Sequence, residues 1–158
     1  MGEVTNEQVN LMLRLFEERR EPKLREARDW FGANFYVKNA DDLTRLCPPG
    51  SKESLYVRMV LGYWEMVASI VNRGLIDEEF FFESNGEQWG VFEQVKPVLG
   101  AWRAMFSSPN FLANLEKLSN HLEVWREKRS PGSNEAIRKV LAQMRQATES
   151  AKVQAAGA

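Results

Sequence analysis

Cys47 and His121 are the one cysteine and the one histidine of the 158-residue chain. A thiol beside an imidazole is the shortest route to nucleophilic catalysis. The supporting pattern is thin. Cys47 stands directly before Pro48-Pro49 and reads as loop packing, and His121, between Asn120 and Leu122, reads as a surface residue. A di-iron bundle needs Glu-x-x-His pairs on two helices, yet Leu118 stands three positions before the histidine, and one histidine leaves most zinc sites unsupplied. Phosphate-gripping glycine loops, a Gly-x-Ser-x-Gly elbow and a dinucleotide fingerprint are all missing. The sequence therefore predicts no catalytic residue, no metal site, no cofactor and no enzymatic activity. A carboxylate enzyme working through Glu65 ranks third among the functions left open.

Two other constellations carry more information. Arg58, Gly62, Glu65, Ser69 and Asn72 recur at three- and four-residue steps, so they share one strip of a helix. Trp64 sits beside Glu65 in the chain. A bare solvent-facing stripe is the plain reading, because charged side chains are seldom buried. The alternative is a polar-lined ligand groove in which Gly62 admits close approach. A buried Glu65 would then need a neutralising partner, with Arg28 and Arg103 at hand. The second constellation is Phe80-Phe81-Phe82 with Trp89. Three adjacent aromatics on one turn cannot all face one core, so either a neighbouring element covers them or they form an interaction surface.

Helices must position all of these. Val9, Met12, Leu13 and Phe16 mark the inner face of a first helix beginning near Thr5. Pro22 opens a second, which turns Leu24, Ala27 and Phe31 inward with Trp30 beside them. Residues 40–52 read as a connection with one short turn. A third helix, near 54–73 and capped by Ser51 or Ser54, carries so broad an apolar arc that it must be the buried centre of the bundle. Gly74 ends it. A short turn from Asp77 is followed by a helix from about Glu87 that contains Pro97. Ser108-Pro109 restarts the chain as cap and first position, and Phe111, Leu115, Leu118, Leu122 and Trp125 form a seam. The expectation is an all-α compact bundle of about five to seven helices over residues 1–130. A linker and C-terminal helix fill 131–158, with Ile137, Val140, Met144 and Ala147 at seam spacing and the last residues frayed.

Composition narrows the partners. Opposite charges nearly cancel, to a formal −1, which excludes the basic excess of a general nucleic-acid binder. Basic residues crowd the first two helices, while Asp77, Glu78, Glu79, Glu83, Glu87 and Glu93 occur without an intervening cation. A lone cysteine gives no disulfide framework, and residues 1–6 lack the pattern of a signal peptide. Residues 59–71 are interrupted by Glu65 and too short to span a bilayer. A cytoplasmic protein without membrane insertion is expected.

The runs Leu13–Arg28, Tyr63-Trp64-Glu65-Met66 and Val71–Phe80 resemble a bacterial family of all-helical domains of unknown function. The likeness continues through Trp89, Pro97, Trp102-Arg103 and Pro109-Asn110-Phe111. It implies an all-helical fold and no established activity, and it brings no functional residues. Some relatives carry a membrane-spanning segment ahead of the domain; no such stretch is read here. Together these features rank a protein-interaction or regulatory module first, homodimeric through the aromatic turn or the C-terminal helix. A small-molecule-binding or sensor domain with a pocket near Trp64 and Glu65 comes second.

Overall fold

The computed structural model describes residues 2–158. In chain order they form α1 (Asn6–Arg19), α2 (Pro22–Asn34), α3 (Ala40–Leu46), α4 (Lys52–Asn72), α5 (Glu78–Phe82), α6 (Glu87–Met105), α7 (Ala113–Arg129) and α8 (Ser133–Ala156), with no strand among them. Local chemistry explains most helix starts. Oxygens of Thr5, Glu21, Asn39, Ser51 and Asp77 each accept a hydrogen bond from the backbone N–H three residues on, at 2.8–3.3 Å. Each thereby satisfies one of the amides that a helix N-terminus leaves unpaired. Glu21 spends its carboxylate on the Leu24 amide.

The described residues divide into two units, one running through Leu122 and one comprising Glu123–Ala158. In the first, α4 is the central rod. Val57, Val60, Leu61, Trp64, Val67, Ala68 and Val71 are buried along it, as its apolar arc requires. Each large side chain so buried contributes about 1.5–3 kcal/mol. α2 lies along α4 and inserts Ala27 and Phe31, with Phe31 stacked on Phe35 at 4.6 Å. Gly74, at φ +75°, closes α4. Its N–H donates to the Val71 carbonyl and that of Leu75 to Ile70, the paired bonds of a Schellman motif.

The sequence reading needs three corrections. Asn39 caps a separate α3 inside the stretch read as a connection with one short turn. Leu13 points outward and Leu15 inward. Polar anchors rotate α1 this way: Tyr63 Oη donates to the Leu15 carbonyl, and Gln8 Oε1 accepts from the Asp77 amide at 2.8 Å. Pro109 does not open α7. Residues 107–112 form a turn with Ser107 and Leu112 at positive φ, and the helix starts at Ala113. α8 runs through Ala156.

In the second unit the end of α7 meets the start of α8 through a polar cluster. Buried Asn134 donates to the Glu123 carbonyl at 2.8 Å and to Glu127 at 3.1 Å, and accepts from Arg126 at 3.1 Å. Arg138 adds an ion pair with Glu123 at 2.7 Å. Val140, Leu141 and Met144 are exposed along α8.

Candidate functional site

The polar strip of α4 does not act as one group. Arg58, Gly62 and Glu65 line a cavity of about 590 Å³, whose other walls come from α3, the turn after it, the end of α6 and residues 111–112. That volume lies within the range of pockets that take small organic ligands. Ser69 accepts a 3.4 Å bond from Arg73 within the helix. Asn72 donates to the Asn114 carbonyl at 3.0 Å and borders a different, polar cavity together with Asp77 and His121. Trp64 turns away, 1% exposed and edge-on to Tyr63 at 4.9 Å. The pocket expected near Trp64 and Glu65 therefore lies on the Glu65 side alone.

Glu65 has a defined task. Its Oε1 accepts from the backbone N–H and Nδ2 of Asn114 at 3.1 and 3.0 Å, and its Oε2 accepts from the Leu115 N–H at 2.8 Å. These are amides of the first turn of α7, where the preceding residue, Leu112, has no side-chain acceptor to cap them. A carboxylate at that end also opposes the positive pole of the helix dipole. Neutralisation by Arg28 or Arg103, expected for a buried Glu65, does not occur. Arg103 bonds the Phe111 carbonyl at 3.0 Å and Glu116 at 2.6 Å. Arg28 grips both oxygens of Glu87 at 2.7 and 2.6 Å, with Arg19 joining at 3.1 Å. That clamp ties α1 and α2 to the start of α6, and Glu87 holds the Arg28 guanidinium above its ordinary pKa.

The remaining walls are mostly apolar, and the sequence does not single them out as a site. Trp102 stands edge-on to Phe111 at 5.8 Å, and Phe106 to Phe111 at 5.3 Å. Met105 and Phe106 are 63% and 54% exposed, an apolar pair left at the surface beside the cavity. Gly62 gives the cavity a bare backbone segment: a Cβ built there meets no atom within 4 Å. The signal available in the sequence was Met105-Phe106 directly before the Ser107-Ser108-Pro109 stop, two large apolar residues at a helix end.

The aromatic turn resolves into core. Phe81, Phe82 and Trp89 are 2%, 5% and 2% exposed, which leaves only Phe80 half-buried at the surface. As an interaction surface these four residues thus reduce to one. Cys47 and His121 are not brought together either. Cys47 lines the apolar cavity, where burial and Glu53 push its thiol up to about 11. His121 Nδ1 pairs with Glu78 at 2.7 Å beside the other cavity.

These features define an all-helical domain with a largely apolar cavity. The chain belongs to the family described as a domain of unknown function (DUF4760), which matches residues 4–122. The matched span ends at the residue where the first unit ends. No curated protein and no solved structure matches the chain. No helix among the described residues is long and apolar enough to cross a membrane.

Proposed function

We propose that the first unit is a non-enzymatic binding module whose working surface is the cavity beside Arg58, Gly62 and Glu65, and whose ligand is a small, largely apolar molecule. The observation that carries this reading is the juxtaposition of about 590 Å³ of space with Trp102, Met105, Phe106 and Phe111. Such walls stabilise an apolar body by removing its surface from water, at about 25 cal/mol per Å². The protonated thiol of Cys47 and the occupied oxygens of Glu65 favour binding over catalysis. A bacterial cytoplasmic setting accompanies the proposal, supported by the likeness of residues 13–28, 63–66 and 71–80 and by the lone cysteine.

Gly62→Leu tests it. The leucine projects into the open space above Gly62, while replacing a mid-helix glycine stabilises α4 by about 0.5–1 kcal/mol. Nile red, a neutral apolar dye, should gain fluorescence on the wild-type protein and lose that gain on the variant, although the variant melts higher. Equal dye binding by both proteins, or by neither, sinks the reading.

A second reading, a regulatory module that self-associates, is supported by the exposed Val140, Leu141 and Met144 of α8. The i,i+4 ion pairs Glu135–Lys139 and Arg145–Glu149, at 3.2 and 3.1 Å, keep charge beside that stripe balanced along the helix. Sedimentation of the full chain and of Met144→Lys checks it. A dimer that the lysine dissociates is expected; two monomers would refute self-association.

A further inference from the structure

Resting on the binding reading above, the geometry points to a specific ligand class: we infer that the cavity takes an anionic amphiphile, an apolar body ending in a carboxylate, with Arg58 as the residue that recognises the head group. The lining contains one fixed cation and one carboxylate, Arg58 and Glu65, seven residues apart on the same face of α4. Their situations are opposite. Both oxygens of Glu65 are engaged by amides at the start of α7, and the helix pole there compensates its charge. Arg58 is exposed and makes no ion pair or hydrogen bond with any described residue. The cavity therefore presents one uncommitted positive group, planar and suited to a two-pronged grip on a carboxylate, above walls formed by Leu61, Trp102 and Phe106. A cationic head would meet the Arg58 charge, and the one carboxylate of the lining, Glu65, already accepts three N–H bonds. A neutral molecule would leave that guanidinium unused.

The class can be read by displacing Nile red from the full chain with three probes that share a ten-carbon chain, each below its micellar or solubility limit: decanoate, decanol and decyltrimethylammonium. Decanoate should compete at a concentration about three- to tenfold lower than decanol, the range of one charge-assisted contact at a partly exposed site. The ammonium probe should compete worst. Arg58→Gln should still bind the dye and should raise the decanoate requirement to that of decanol. Equal potency of decanoate and decanol, failure of all three to displace bound dye, or an Arg58→Gln protein that keeps the preference would each overturn the assignment. A membrane lipid is the other source of such an anionic head. Flotation of the chain with phosphatidylglycerol vesicles, lost in Arg58→Gln while decanoate leaves the dye in place, would overturn it in favour of a bilayer surface. Absence of dye binding to the wild type is a different result, because it removes the cavity reading itself.

Discussion

At the residue scale, Glu65 and Cys47 show how position decides chemistry. Glu65 looks in the sequence like the one provocative carboxylate of an apolar helix, yet its oxygens serve the amides of Asn114 and Leu115. Glu65→Ala should cost about 1–2 kcal/mol, the scale of a lost helix cap. Amide exchange at Asn114 and Leu115 should accelerate while the buried amides of α4 stay protected, and uniform exchange across both helices would count against a capping role. Cys47 lends itself to a pH test. Its folded pKa of about 11 exceeds the ordinary 9.0, so the neutral thiol is the form that folding favours. That contribution is complete below about pH 9 and is lost as pH rises through 11. Alkylation by iodoacetamide should accordingly be slow in the native protein at pH 8 and climb towards pH 11, whereas urea-unfolded chain should react as an ordinary cysteine. Fast native alkylation at pH 8 would contradict the burial described.

At the scale of elements, the sequence disclosed most where one interaction decides the outcome. The arc of α4 was legible because eight apolar positions, Ile70 among them, recur at 100° steps, and all but Ile70 are buried. Thr5, Ser51 and Gly74 announce their turns through well-known local chemistry. Distant partners are what hid the rest. Leu13 and Leu15 are equally apolar, and Leu15 is the one turned inward, on a helix whose Leu15 carbonyl accepts from Tyr63 and whose Gln8 accepts from the Asp77 amide. The start of α7 was misread at Ser108-Pro109 because its real cap comes from another helix. The half of the site on α4 could be seen in advance, as Arg58, Gly62 and Glu65; of the aromatic half only Met105-Phe106 left a local trace, because the contacts of Trp102 and Phe106 with Phe111 are made across the turn that follows α6. The clamp of Arg28 and Arg19 on Glu87 is likewise a product of tertiary placement. Glu87→Gln should destabilise the protein by about 1–2 kcal/mol, less than a fully buried pair would give because these side chains keep partial contact with water. An unchanged urea midpoint would show the clamp to be energetically idle.

For the whole molecule, the boundary after Leu122 coincides with the end of the family match, and a single helix, α7, carries the chain across it. The opening turn of that helix has a further consequence. Its acceptor lies 49 and 50 positions upstream, so residues 113–129 contain no instruction for where their own spiral should begin. A synthetic peptide of that stretch would enter water with its leading amides unanswered and should be poorly ordered by circular dichroism. Joining a succinyl group to its amino end, an artificial acid in place of the missing one, should recover part of the helical signal, and more so at neutral pH than in acid.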